Sequence, residues 1–155
     1  MTPSIPKLYV PIGIPSCGKS TYYVDHYATN GVVHVSPDQY LYSGGVYRTN
    51  TDLRRQAWKQ ALERAKSQLM DGVSLYYDAT NLNKRSRQLL LHYARHTQHP
   101  YWCVALWFTT TLDACVERNK VREPDRRVAV EDLKDMWANL GRPVLGEGFQ
   151  EMRDA

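Results

Sequence analysis

Gly13-Ile14-Pro15-Ser16-Cys17-Gly18-Lys19-Ser20 fits the phosphate-loop pattern G-x-x-x-x-G-K-[ST] at every fixed position, and Thr21 follows it. These residue types suit one task, the holding of a polyphosphate. Gly13 and Gly18 let the backbone turn without a Cβ clash. The backbone N–H groups of Ser16, Cys17, Gly18 and the residues after them face one concave spot, where the dipole of the helix they open also favours negative charge. Lys19 reaches the β- and γ-phosphates, and Ser20 offers its hydroxyl to Mg²⁺. The expectation is an ATP site with Mg²⁺. Cys17 lies among N–H groups that can lower a thiol pKa, but direct phosphoryl transfer needs no thiol, so it carries no catalytic role.

Such a loop works only between a strand and a helix. Leu8-Tyr9-Val10-Pro11-Ile12 reads as a buried strand before it, and Thr21 to Tyr27 holds no breaker and reads as a helix after it. Val32 to Val35 is a second short strand, ending at Ser36-Pro37-Asp38. Residues 41 to 50, with Gly44 and Gly45, read as a loop. Leu53, Ala57, Ala61, Ala65 and Leu69 recur near helical spacing after a cap at Asn50 or Thr51, with Gly72 as the stop. Val73 to Tyr77 predicts a third strand, Asn83 caps a helix to about Thr97, and Trp102 to Phe108 is the most apolar strand. Thr110 or Thr111 caps a further helix through about Lys120, and Ala129 to Leu140 is a last one. The tail to Ala155 carries weak signals. Strands alternating with helices predict an α/β fold: a four-stranded parallel sheet flanked by helices, in a single domain over residues 1–155.

Ligands of such sheets sit outside the carboxyl ends of the strands, which selects the remaining candidates. Asp38 follows the second strand, where a carboxylate accepts a proton from an attacking hydroxyl or holds Mg²⁺ through water. Asp78 ends the third strand and suits either a Mg²⁺-linked carboxylate or a cap. Thr80, Asn81 and Asn83 orient loops or substrate. Tyr42, Tyr47 and Arg48 interleave aromatic rings with charge; they can stack a base and meet a phosphate, or simply cover a core edge. Lys84, Arg85 and Arg87 crowd a helix N-terminus, where positive charge opposes the macrodipole by about 0.3–1 kcal/mol each, so an anionic partner would compensate. A second cluster, Arg118, Lys120, Arg122, Arg126 and Arg127, runs into a lid at about 121–128 that contains Pro124. Lid arginines suit charge stabilisation on a transferring phosphoryl group. His92, His96 and His99 lack a further ligand for metal and read as surface residues.

Net charge of +4 permits an anionic partner without requiring one. Three cysteines without C-x-x-C spacing predict a reducing, cytoplasmic setting rather than a disulfide scaffold. The first eleven residues, with three prolines and no long apolar core, do not read as a secretory signal, and no run approaches the ~20 apolar residues of a membrane span.

Gly13–Thr21, Ser36-Pro37-Asp38-Gln39-Tyr40, Asp78-Ala79-Thr80-Asn81-Leu82-Asn83 and Arg118-Asn119 with Arg122 together resemble the phage-type 5′-hydroxyl polynucleotide kinases, from about Leu8 to Leu140. The resemblance implies a P-loop kinase fold with an arginine-bearing lid, DNA or RNA as partner, and a phage source acting inside a bacterial host. It makes Asp38 the activator of the acceptor hydroxyl and Arg122 the lid arginine on the transferring phosphate. It makes Lys19, Ser20 and Arg118 nucleotide contacts. Two departures leave the acceptor open. The family carries an arginine three residues after its aspartate, for the acceptor's phosphate, where this chain has Leu41. Its second aspartate directly precedes T-N-L-N, where this chain has Ala79. A kinase for a hydroxymethylated base in phage DNA, a small-metabolite kinase, and a nucleotide-binding switch or nucleic-acid binder without transferase activity are the alternatives.

Overall fold

The computed structural model describes residues 4–43 and 45–155. β1 (Lys7–Ile12) runs through the centre of a parallel sheet, flanked by β5 (Leu75–Tyr77) on one side and β6 (Trp102–Trp107) on the other. β2 (Val33–Val35) lies outside β5, and β7 (Glu151–Asp154) lies outside β6. The order β2-β5-β1-β6-β7 makes five strands where the sequence predicts four. The addition is the weakly patterned tail. It escapes periodicity because β7 is short, polar and half exposed at a sheet edge, while its ladder pairs Val104 to Trp107 with Glu151 to Asp154.

Alternation along the strands divides the core between the two faces. Leu8, Val10 and Ile12 of β1 join Leu75, Tyr77, Cys103 and Ala105 on the face covered by α2 (Thr51–Met70) and α3 (Lys84–Arg95). Tyr9 joins Tyr76, Val104 and Leu106 on the opposite face, with Tyr27 after α1 (Lys19–His26), Cys115 of α4 (Leu112–Lys120) and Leu133 of α5 (Val130–Ala138). Four turns of α2 present Ala57, Ala61, Ala65 and Leu69 inward, and small side chains let that long helix lie close to the sheet. The expected caps form: Asn50, Asn83 and Thr111 accept from the backbone N–H three residues on, each worth about 1 kcal/mol.

The segment 41–50, expected to be a loop, contains a two-stranded hairpin of β3 (Tyr42–Ser43) and β4 (Val46–Tyr47). Gly44, like Met1 to Pro3, lies outside the described residues. All three cysteines are free and buried, and burial pushes the Cys103 and Cys115 thiols up to about 11. No described helix is long and apolar enough to cross a membrane.

Arg87 departs from the expected basic cluster. It is 1% exposed and forms a two-pronged pair with Glu147, Nε to Oε2 and Nη2 to Oε1, both 2.8 Å. Its Nη1 donates to the carbonyls of Asn81 and Gly141. These bonds fasten Gly141 and Glu147, in the segment after α5, to α3 and the loop after β5, and Arg87 offers nothing to a ligand. Burial raises the Glu147 pKa, but the Arg87 hydrogen bonds and charge outweigh it and hold the carboxyl below its ordinary 4.5. Since the folded-state value is the lower one, the pair stabilises the fold fully above about pH 4.5 and loses that effect as pH falls. Glu147→Gln, which strands a buried guanidinium, should lower the unfolding free energy at pH 7 by about 3–5 kcal/mol in urea titration. The gap to wild type should narrow below pH 4.5.

Candidate active site

The phosphate loop spans the end of β1 and the start of α1, and its geometry is that of an anion cradle. Ser16 and Gly18 adopt positive φ, 68° and 105°. A Cβ on Gly13 would lie 2.5 Å from Cys17 Sγ, so only glycine fits there. Lys19 is 8% exposed and its ammonium donates to the carbonyls of Gly13 and Ile14, both at 2.9 Å. The Ser16 hydroxyl is buried and has no hydrogen-bond partner among the described residues, which is the condition of a group that serves a ligand. Arg118 on α4 stands beside the loop: a Cβ on Gly18 would lie 3.7 Å from its Nη1. Thr21 is exposed in the first turn of α1.

Ser20 and Asp78 meet, with Oγ donating to Oδ2 at 2.6 Å. The hydroxyl and carboxylate oxygens are hard donors of the kind Mg²⁺ takes, so these residues fit that ion next to a bound polyphosphate. Burial raises the Asp78 pKa, but hydrogen bonds from His34 and Ser20 and the Lys19 charge outweigh it, so the carboxyl lies below its ordinary value. Asp78 thus stays ionised at neutral pH. No cluster of three or more His, Cys, Asp or Glu suited to a metal occurs among the described residues.

Asp38 does not join that pair. It lies on a 3₁₀ turn, Pro37–Tyr40, capped by Ser36, and faces the lid. Arg126 Nη2 donates to its Oδ2 at 3.2 Å, and Tyr47 Oη lies 3.5 Å from Oδ1. The Arg126 guanidinium also lies 5.8 Å from the Tyr42 ring centre and 5.7 Å from that of Tyr47, and the two rings meet edge to face at 5.3 Å. The lid is the segment between α4 and α5 and includes a short 3₁₀ turn, Pro124–Arg126. Asn119 closes it at the base, its amide donating to Val128 O and its oxygen accepting Val128 N–H. Arg122 is half-buried; burial first, then the Arg126 charge, lowers its pKa, while Asp38 and the two tyrosines act the other way. Arg127 turns its Nε to the Arg122 carbonyl.

The structure therefore gathers Asp38, Tyr42, Tyr47, Arg122 and Arg126 at one place, and Ser16, Lys19, Ser20, Asp78 and Arg118 about the loop. Asn81 is not presented to a substrate. It is 1% exposed, and its amide donates to the carbonyls of Pro11, Tyr77 and Ala79. Arg48 is exposed at the hairpin exit, and Arg85 is exposed on α3 beside a cavity of about 470 Å³ lined also by Trp58, Tyr77 and Leu89. Leu41, where the departure from the kinases occurs, is 6% exposed and belongs to the core. Sequence reading did not single out His34, gave Gln39 no role of its own, and counted Arg126 as one of several lid arginines, whereas the structure sets Arg126 against Asp38. No local pattern marks a histidine inside a three-residue strand as a partner of an aspartate 44 positions away.

The AAA domain family matches residues 8–143. The chain belongs to that family. This AAA domain is similar in fold to a chain of the Pnkp1/Rnl/Hen1 RNA repair complex, at 22% identity and a TM-score of 0.72 over 90% of its length. It spans 45% of that chain. Chaetomium thermophilum Kti12 in complex with ADP-AlF3 is similar at 18% identity and a TM-score of 0.69, over 96% of this chain and 88% of that one. A gluconokinase from Sinorhizobium meliloti 1021 is similar at 18% identity and 0.64, over 98% and 84%. The architecture of the AAA domain is thus the P-loop kinase fold, shared by proteins of several names.

On the expectation that Lys19 meets the β- and γ-phosphates of a bound nucleotide, Lys19→Ala should abolish detectable phosphoryl transfer. The glycine turn should survive. Labelled-phosphate transfer together with an unchanged far-UV spectrum checks both parts.

Proposed function

We propose that this AAA domain is an ATP-dependent kinase that transfers the γ-phosphate to a hydroxyl of a nucleic acid, and that the hydroxyl is a 5′ end of DNA or RNA. The observation that carries the reading is the setting of Asp38: a carboxylate beside two tyrosine rings and under a lid arginine, on the sheet edge that holds the phosphate loop. The reading is supported by the fold likeness to a chain of the Pnkp1/Rnl/Hen1 RNA repair complex.

In this reading Asp38 Oδ1, which has only the long contact to Tyr47, accepts the proton of the acceptor hydroxyl. The freed oxygen attacks the γ-phosphorus in line with the departing ADP. Lys19 and the lid arginines meet the charge on the transferring group, which is electrostatic rather than covalent catalysis. Mg²⁺, when bound at Ser20 and Asp78, supplies neutralisation of the phosphate oxygens. Tyr42 and Tyr47 offer faces for a base, and Arg48 and Arg85 lie exposed for the phosphates of a longer strand.

A second reading, a small-metabolite kinase, draws on Leu41. A buried leucine where the polynucleotide kinases hold an arginine removes one phosphate contact, and a sugar acceptor needs none. The gluconokinase shares the fold over 98% of this chain, at a TM-score of 0.64 against 0.72 for the RNA repair chain.

Transfer of labelled γ-phosphate to 5′-hydroxyl DNA, 5′-hydroxyl RNA, hydroxymethylated-base DNA, nucleosides and sugars separates the readings. Label on 5′ ends is expected; label confined to sugars would overturn the proposal in favour of the second reading. Asp38→Asn should lower turnover about 10²–10⁴-fold with nucleotide affinity little changed. Arg122→Lys, which loses the planar fork, should lower kcat more than it changes KM. Arg126→Ala should instead raise the acceptor KM, since Arg126 bridges the tyrosines and Asp38; steady-state kinetics with oligonucleotide varied reads the difference.

A further inference from the structure

His34 is held on three sides. Its ring stacks on Tyr23 at 4.4 Å and 25°, its Nε2 lies 2.9 Å from Asp78 Oδ2, and its Nδ1 lies 3.1 Å from Gln39 Nε2. Its side chain is 24% exposed, so solvent does not set its orientation.

The position of its proton follows from the partners. Gln39 Oε1 accepts from Ser36 N–H at 3.2 Å, which turns the Gln39 amide nitrogen toward the histidine. An amide nitrogen only donates, so His34 Nδ1 must be the acceptor. The ring proton then resides on Nε2 and points at Asp78.

Asp78 Oδ2 therefore receives two hydrogen bonds, from His34 Nε2–H and from Ser20 Oγ–H. Oδ1 has none among the described residues. A carboxylate fixed through one oxygen keeps the other free and oriented. Gln39 belongs to the same four-residue turn as Asp38, so that turn is tied to the lid by one side chain and to the phosphate-loop serine, through His34 and Asp78, by the next.

We propose that His34 is a positioning residue: as the Nε2–H tautomer selected by Gln39, it sets the Asp78 carboxylate against Ser20 for a magnesium–nucleotide complex, and so links that site to the turn bearing Asp38. The inference rests on the kinase reading only in taking the phosphate loop as a Mg²⁺–nucleotide site; it does not depend on the acceptor.

The test is calorimetric binding of ADP to wild type, His34→Ala and His34→Gln, in EDTA and across a Mg²⁺ titration. Groups behind a metal ligand typically contribute about 10–100-fold in metal affinity, so His34→Ala should raise the Mg²⁺ needed for tight ADP binding by that factor. ADP affinity in EDTA should stay at the wild-type value. His34→Gln, whose amide can donate from near the Nε2 position, should recover most of the Mg²⁺ response. Long-range ¹H–¹⁵N correlation spectra of wild type, with His34 assigned by its absence in His34→Gln, should show the proton on Nε2.

Equal Mg²⁺ dependence in wild type and His34→Ala would overturn the proposal. So would an equal loss of ADP affinity with and without Mg²⁺, which marks a merely structural residue, or a proton found on Nδ1. The spectra need no alanine variant, so poor folding of His34→Ala leaves the tautomer and the glutamine rescue to decide. Wild-type protein that binds no ADP under any condition would remove the nucleotide reading itself, and the proposal with it, which is a different result from binding that His34 does not influence.

Discussion

A loop that offers its N–H groups to an anion cannot satisfy its own backbone, so its remaining polar groups must be held by its neighbours. That constraint organises this chain. Gly13 N–H donates to Thr80 O, the Asn81 amide to Pro11 O, the Thr110 hydroxyl to Cys17 O and the Tyr76 hydroxyl to Lys19 O. Each of these partners comes from β5, β6 or the segment just beyond one of them. The central place of β1 in the sheet is what brings both neighbours within reach, and the strand order serves the loop as much as the core.

The same economy decides which charges remain for chemistry. Lys84, Arg85 and Arg87 look alike as a basic run, yet burial separates them. Arg87 turns inward, where an ionised guanidinium is tolerable only with a matched carboxylate and further acceptors, and Glu147 with two carbonyls supplies them. The neighbouring Asn81 carbonyl belongs to the residue whose amide supports β1, so the buried ion pair also stiffens the floor beneath the phosphate loop. Arg85 stays outside and keeps its charge for solvent or a ligand.

Local physics was legible in the sequence and distant pairing was not. The phosphate loop, the caps at Asn50, Asn83 and Thr111, and the alanine stripe of α2 follow from residues within a few positions of one another. The edge strand β7 was hidden because its partner is more than 40 residues away and all but Met152 of its side chains are charged. The hairpin after Asp38 read as a loop because its strands have two residues each. Arg126 passed as one of several lid arginines, since its meeting with Asp38 spans 88 positions and depends on how Asn119 folds the lid back. The acceptor residues drawn from the loops divide accordingly: Tyr42 reaches the cluster around Asp38, while Asn81 is committed to backbone.

The lid shows how one side chain can join two requirements. Arg126 neutralises Asp38 and lies against both tyrosine rings, while its Nε is buried without a partner among the described residues. An unpaired buried donor costs about 1–3 kcal/mol, so the arrangement is stable only because the ion pair and the two ring contacts offset it. An anionic group arriving between the rings and the lid would satisfy that donor and would also compete with Asp38 for the guanidinium. Occupation of the cluster by such a group would therefore loosen the Arg126–Asp38 pair at Oδ2. In the proposed kinase reading, a phosphate of the acceptor would be such a group, and its arrival would weaken the lid's hold on Oδ2 while Oδ1 keeps only its long contact to Tyr47.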